Sequence, residues 1–378
     1  MNNTATSREK ILVNVFSSHI GGGRSVALNF LKTMNFGSTP VDILVLCRPD
    51  DDFLAVCDTN GYKSIVPPKI LRNKIGTLIL YCAVLPVLLS LMRFRSVINF
   101  ADIPIIFLGK QVFYFDWPYA IYKDQFIWGR LSKKEYIASK VKLHIFRALS
   151  VFVDIWLVQT NVVKKRLIAT GVRGEIVFTP NSVSVEDNNG EDTSEFSNSL
   201  PTGPVYGLCL TAYYAHKNIE ILIDTAGILK NRNFPVKFVL TLNNADPRVQ
   251  KIMLQINERG LEDYFVNLGH VEKRLIPSLY KAVNFFILPT LLETFTGTYI
   301  EAAHYRCPIV TSDLDFSRDV CGEYAAYFDP LSATSVADAV ERIVSDTSYR
   351  AWLIDKAFQH HLTAPSWESV SKTIVEVS

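Results

Sequence analysis

Leu288-Pro-Thr-Leu-Leu-Glu293-Thr-Phe-Thr-Gly297-Thr-Tyr-Ile-Glu301-Ala-Ala-His-Tyr-Arg-Cys-Pro308 is the most informative stretch of this 378-residue chain. An apolar run reads as a strand that ends at Pro289, and the carboxylate of Glu293 follows in a loop. The small-residue turn Thr296-Gly297-Thr298 then opens a helix, with Glu301 one turn inside it. Two acceptor-only side chains therefore flank the backbone N–H groups that a helix start leaves unpaired. That arrangement suits a ligand with hydroxyls at both ends and a diphosphate between them, and a nucleotide sugar is such a ligand. The residues alone leave a plainer reading open, an N-terminal turn whose glutamate is favoured by the helix dipole.

Outward from this stretch, strands alternate with helices in both directions. In the second half, strands are expected at 205–210, 236–242, 265–268, 284–288 and 308–311. Helices are expected at 217–229, 247–259, 275–282, from 297, 336–344, 349–359 and 367–377. In the first half, strands are expected at 11–16, 41–47, 96–100, 111–115, 154–159 and 175–178, and helices at 25–34, 132–149 and 161–169. Such alternation predicts two α/β halves with parallel sheets covered on both faces. The polar, acidic stretch 184–203, rich in Asn, Ser, Gly and Pro, reads as a linker or long loop. The division expected is a domain at 1–183, the linker 184–203, a second domain at 204–362, and a C-terminal helix at 363–378 that crosses back to the first.

The composition, 48% hydrophobic and 20% charged, fits a folded chain with sizeable cores. A net charge of +2 conceals an asymmetry: residues 1–183 carry 23 Lys and Arg against 12 Asp and Glu, net +11, and the remainder carry 16 against 25, net −9. A basic first half points to an anionic partner such as a membrane surface or a phosphorylated lipid. No nucleic-acid module is legible. The six cysteines form no C-x-x-C pair and are expected to be reduced, buried thiols. The start is polar, and the apolar run 11–16 is too short for a signal peptide, so a cytoplasmic location is expected. Residues 75–92 contain no charge and carry basic residues on both sides. They read first as a helix packed in the first domain, second as a membrane-surface helix and last as a span. Lys133, Lys134, Lys140, Lys142 and Arg147, set among Ile137, Val141, Ile145 and Phe146, read equally as a basic amphipathic helix for an anionic leaflet or as a solvated face over a core stripe.

Gly21, Gly22 and Gly23 follow the first expected strand, where a parallel domain offers backbone N–H groups to an anion. The dinucleotide fingerprint fails at its third glycine, where Val26 stands, and no P-loop motif occurs. A tight turn and a diphosphate or acceptor contact both remain open.

The 293–301 stretch resembles the E-x7-E signature of the family 4 retaining glycosyltransferases, and within them the bacterial polysaccharide, mannosyltransferase-like group. Phe178-Thr-Pro-Asn-Ser-Val183, Tyr213-Tyr-Ala-His-Lys217-Asn, Leu268-Gly-His-Val271, Ser312–Val320 and Ala325–Pro330 resemble further motifs of that family in order and spacing. The resemblance covers most of 175–360. In the first half it is confined to the glycine loop and the general pattern. It implies the GT-B fold, two Rossmann-like domains with parallel sheets facing across a cleft, and a metal-independent retaining transfer in surface polysaccharide synthesis. The implied donor is a nucleotide sugar, GDP-mannose before a UDP-sugar, and the implied acceptor is a glycan, best a lipid-linked one. By the same resemblance, Glu293 bonds sugar hydroxyls, Glu301 bonds the ribose, and Lys217 neutralises the diphosphate. Phe295, Thr296, Gly297 and Thr298 line the donor, as do Thr211 and Val271, and Gly22 and Gly23 meet the phosphates. No carboxylate stands as a covalent nucleophile, which suits a front-face mechanism.

The chain departs from the family twice. An Arg five or six residues before the lysine is replaced by Thr211 and Ala212, and a His in the first domain is replaced by Asp116. Asp116 either bonds the sugar or acceptor or caps a turn. Three rival readings stand beside the transferase. Asp50-Asp51-Asp52 or Asp313-Leu-Asp315 would bind a metal in a transferase of the other common fold. A nucleotide-sugar 2-epimerase shares the fold. A non-catalytic partner of an active transferase would explain the missing Arg.

Overall fold

The computed structural model describes residues 8–18, 21–37, 40–182 and 204–378. The expected linker 184–203, His19 ahead of the glycines and Val183 at the end of its motif lie outside the described residues. The chain forms two compact units. The first contains the described residues up to Lys123, Ser132–Ser182 and Pro365–Ser378. The second contains Asp124–Leu131 and the described residues from 204 to Ala364.

The N-terminal unit is built on β1 (Glu9–Asn14), β2 (Val41–Leu46), β3 (Lys63–Ile65), β4 (Ser96–Asn99), β5 (Lys110–Tyr114), β6 (Ile155–Val158) and β7 (Glu175–Phe178). All pairings are parallel and the order is β3-β2-β1-β4-β5-β6-β7. Alternation along the strands gives the sheet two covered faces. On one face Ile11, Val13, Val45, Ile98 and Val112 pack against the helices Gly21–Thr33, Asp51–Asn60 and Trp367–Glu376. The C-terminal helix is tied there by a 2.6 Å bond between the Thr33 and Ser371 hydroxyls. On the other face Leu12, Leu44 and Val97 pack against Leu80, Tyr81, Leu85 and Leu89 of the helix Lys74–Leu91. Further along that same face, Phe113 and Trp156 meet Phe146 of the helix Lys133–Leu149. Ser132 and Glu135 start this last helix with a reciprocal capping box.

The C-terminal unit holds β8 (Val205–Cys209), β9 (Val236–Leu240), β10 (Phe265–Asn267), β11 (Phe285–Leu288), β12 (Ile309–Ser312) and β13 (Ala325–Phe328), in the parallel order β10-β9-β8-β11-β12-β13. Its strand order reverses between β8 and β11. In such sheets ligands bind beyond the carboxyl ends of the strands at that switch point. The loops after β8 and β11 therefore frame the expected site, and they hold Thr211–Lys217 and Pro289–Thr296 respectively.

Several expectations are corrected. The first helix begins at Gly21, so the glycines form its first turn rather than a loop before it. Lys217 ends a short 3-10 turn, Ala215–Lys217, because Asn218 takes a left-handed conformation (φ 55°) and the helix starts only at Ile221. The acidic run at 50–52 is a helix start: Asp50 caps Asp51–Asn60 through the N–H groups of Asp52 and Phe53. Strands β3 and β13 and the helix Asp315–Cys321 were not expected. The uncharged stretch is the helix Lys74–Leu91, which packs Leu80, Tyr81, Leu85 and Leu89 into the first unit and leaves most of its length outside the core. A π turn at Leu80–Val84 precedes Pro86, whose missing N–H breaks the regular ladder. All six cysteines are free thiols, and five are buried.

Candidate active site

In the C-terminal unit, the loops after β8 and β11 are stitched by the main chain. The Leu291 N–H donates to the His216 carbonyl at 2.7 Å, and the Thr290 hydroxyl oxygen lies 3.3 Å from the same carbonyl. Asn218 is buried and donates to the Pro330 carbonyl at 2.8 Å, which anchors the left-handed corner. Lys217 is thereby held with its Nζ 2.5 Å from Glu293 Oε1, and the two side chains are only 12% and 11% exposed. Thr290 donates to the same oxygen at 2.9 Å. His216, stacked on Tyr214, adds no positive charge near neutral pH: burial, with the Lys217 charge behind it, pushes its imidazole down to about 3.

The helix Gly297–His304 follows directly, with Thr296 in the capping position and making no side-chain cap bond. The Thr296 and Thr298 hydroxyls lie 3.0 Å apart. Glu301 stands one turn in, where the Tyr280 hydroxyl meets both Glu301 Oε2 and the Thr298 carbonyl at 3.2 Å. Tyr280 is itself stacked on Tyr305. Burial raises the Glu301 carboxyl above its ordinary value, opposed by the Tyr280 bond and the Lys273 charge. Val271 packs in the same cluster as Tyr280, and Thr211 is fixed by a 3.2 Å bond from its N–H to the Thr241 hydroxyl.

Of the expected residues, the structure thus gathers Lys217 with Glu293, and Glu301 with Thr298, on the loops of one switch point. Sequence reasoning missed Thr290 and Tyr280. Thr290 stands inside the quoted stretch without a signal of its own, and Tyr280 reaches Glu301 from a separate helix, Ile276–Ala282. No Arg stands at Thr211 or Ala212, but Arg248 lies over the Tyr213 ring, 4.9 Å from its centre, while paired with Asp246.

The N-terminal unit brings a second set together. Asp116, exposed just after β5, places Oδ2 where a side chain on Gly23 would meet it at 3.5 Å. Both acidic runs considered as metal ligands are held by arginines. Arg24 grips Asp50 at 2.9 and 3.0 Å and Asp52 at 2.5 Å, and Arg318 grips Asp313 at 2.7 and 2.9 Å. Among the described residues, no three His, Cys, Asp and Glu side chains gather as metal ligands.

Residues 190–360 match the family model described as glycosyl transferases group 1. That segment, a little under half of the chain, is similar to the group 1 glycosyl transferases. Among similar proteins, the O-antigen chain mannosyltransferase B of Escherichia coli is 25% identical over 146 residues, 38% of each chain. The capsular polysaccharide biosynthesis glycosyltransferase CapH of Staphylococcus aureus is 26% identical over 166 residues, 42% of this chain and 45% of that one. The chain spans between 29% and 45% of the length of the curated relatives it matches. The Anabaena HepE structure in complex with UDP-glucose superposes with a TM-score of 0.73 at 17% identity, over 97% of this chain and 98% of that one. The segment that matches the model therefore sits in a chain of GT-B architecture, with parallel sheets of seven and six strands. The quoted 293–301 stretch, Lys217 and Tyr280 all lie inside the matched segment.

Proposed function

We propose that the chain is a retaining glycosyltransferase that moves a sugar from a nucleotide-sugar donor to a glycan acceptor in surface polysaccharide synthesis, of O-antigen or capsule type. The observation that carries this reading is the pairing of Lys217 with Glu293 beside a helix start that has Glu301 one turn inside it. An ammonium has three N–H donors and Glu293 takes one, which leaves Lys217 able to meet a diphosphate oxygen without releasing the carboxylate. Both bonds to Glu293 fall on Oε1, so Oε2 is the oxygen for a sugar hydroxyl. The N–H groups of Phe295, Thr296, Gly297 and Thr298 and the carboxylate of Glu301 complete the donor site, with Thr211 and Val271 beside the nucleotide. Gly22 and Gly23 serve the donor phosphates, and Asp116 serves the sugar or acceptor.

In the reaction, the bond from the anomeric carbon to the diphosphate breaks and its electron pair leaves with the phosphate. The acceptor oxygen bonds the same face of that carbon, and its proton passes to a leaving phosphate oxygen. Lys217 and the helix N-terminus act by stabilising the growing charge. No metal is required in this reading, since positive charge and helix dipole meet the leaving group. GDP-mannose is the favoured donor, supported by the Tyr213–Asn218 likeness and by the mannosyltransferase among the relatives. A UDP-sugar is next, as HepE binds UDP-glucose. The acceptor is lipid-linked, which sets the enzyme in the cytoplasm at the inner face of the membrane.

A thermal-shift screen of GDP-, UDP-, ADP- and dTDP-sugars with EDTA, on wild type and Glu301→Ala, tests the proposal. One nucleotide sugar should raise the midpoint of wild type by mass action and leave the variant unmoved. No shift from any donor would move the assignment to a non-catalytic partner, with Thr211 and Ala212 as the reason.

A further inference from the structure

We propose that one face of the N-terminal unit docks on an anionic lipid bilayer. The two helices that cover the Leu12–Val97–Phe113 face of the seven-stranded sheet both turn large apolar side chains outward. On the helix Lys74–Leu91, Ile75 is 74% exposed, Val87 59% and Leu91 78%. On the helix Lys133–Leu149, Ile137 is 62% exposed and Val141 54%, while Leu143, Phe146 and Leu149 make the core contact. The apolar residues at 137 and 141 are therefore not the core stripe of their helix. The intervening loop adds Leu108 at 95%. It is tied to the first helix by the Ile106 N–H on the Tyr81 carbonyl and to the second by Lys142 on Asp102. On the opposite sheet face, no large apolar residue of Gly21–Thr33, Asp51–Asn60 or Trp367–Glu376 is exposed. Scattered apolar exposure is ordinary, but a one-sided concentration marks an interaction surface.

The charge around this surface chooses the occupant. Lys69, Lys74 and Arg93 bracket the first helix, and Lys133, Lys134 and Lys140 run along the second. Glu135 is spent in the capping box and Asp102 on Lys142. A second copy docked through a two-fold would oppose these cations to themselves. An anionic headgroup layer meets them, and its acyl boundary takes the isoleucines and leucines. The helix lies on the bilayer rather than across it, because Leu80, Tyr81, Leu85 and Leu89 are part of the sheet core.

Vesicle flotation tests this, with phosphatidylcholine alone and with phosphatidylglycerol added. Wild type should float with the anionic vesicles and lose binding as salt rises. Ile75→Ser/Leu91→Ser and Lys133→Gln/Lys134→Gln should each weaken partitioning about tenfold or more. Both variants should keep the wild-type thermal midpoint and donor-induced shift, so failure here is separate from failure of the donor reading. Absence of flotation with either vesicle, or variants that float like wild type, would overturn the proposal. So would a lipid-free dimer in light scattering that Ile75→Ser/Leu91→Ser dissociates, because the face would then belong to a second copy.

Discussion

Glu293 and Glu301 flank the same helix start, yet they are held by opposite means. Glu293 faces a cation, with Lys217 Nζ at 2.5 Å and the Thr290 hydroxyl on the same oxygen. Glu301 faces a phenol, the Tyr280 hydroxyl at 3.2 Å, in surroundings whose burial raises its carboxyl. The first is a fixed ion pair whose geometry depends on two loops meeting. The second is a carboxylate short of hydration, so each hydroxyl donor a ligand brings counts for more than it would in water. In the proposed donor site the difference gives identical side chains separate work: placement of charge at one end and capture of hydroxyls at the other.

The strongest way to break that contrast is Lys217→Met. It strands a nearly buried carboxylate beside Thr290, which should cost roughly 3 kcal/mol of stability or more. Turnover should fall about 10²–10³-fold through loss of charge stabilisation. Adding Glu293→Gln should restore most of the melting temperature without restoring turnover. If denaturation of the double variant shows no recovery, the two residues are not a coupled unit. Glu293→Gln alone keeps Lys217 but loses the ion pair, and should lower kcat about 10²-fold with the fold intact. Steady-state kinetics beside a thermal melt would check this, and wild-type turnover would remove Glu293 from the sugar site.

At the other end, Glu301→Gln should weaken donor binding about tenfold, the scale of a charged hydrogen bond. It should also behave differently in stability. Burial sets the folded-state pKa of Glu301 above its ordinary value of 4.5, so the native state binds more protons than the unfolded one between those values. Ionised Glu301 therefore costs stability above its folded pKa and costs nothing below 4.5. The glutamine variant should melt higher than wild type near neutral pH, and the gap should close as pH falls through this window. A gap that widens on acidification would contradict the raised carboxyl.

Much of this was legible in the sequence because strands and helix starts are local. β7 (Glu175–Phe178) lies where its strand was expected, and the helix Lys133–Leu149 fills the expected 132–149. Glu293, Thr296 and Glu301 fall in one short stretch, so their spacing alone suggests a ligand. β3, Lys63-Ser-Ile65, gave no warning, since a three-residue edge strand with one apolar side chain carries no pattern. The acidic run at 50–52 stays open to a metal-binding reading in the sequence, because its pairing with Arg24 joins residues far apart in the chain. Lys217 was expected to open a helix, and only the left-handed Asn218 shows why it does not. Tyr280 was invisible because its contact with Glu301 is made between separate helices, and no spacing rule reaches that far.

Tyr280→Phe is the finest test of the contrast, with the smallest expected effect. Phenylalanine keeps the stacking on Tyr305, whose ring centre lies 5.5 Å away, and removes the hydroxyl that meets Glu301 and the Thr298 carbonyl. Stability should change by about 1 kcal/mol or less, the usual net worth of one hydrogen bond. Donor affinity should fall only about threefold at a pH where Glu301 is fully ionised. The informative readout is the pH profile of donor binding. In the proposed site ribose hydroxyls donate to the ionised carboxylate, so affinity should decline as Glu301 takes up a proton. The Tyr280 bond lowers that carboxyl against the burial that raises it. Without the hydroxyl, the midpoint of the decline should move to higher pH. A purely structural role for Tyr280 would reduce affinity equally at every pH, and a parallel, unshifted profile would leave Glu301 positioned by packing alone.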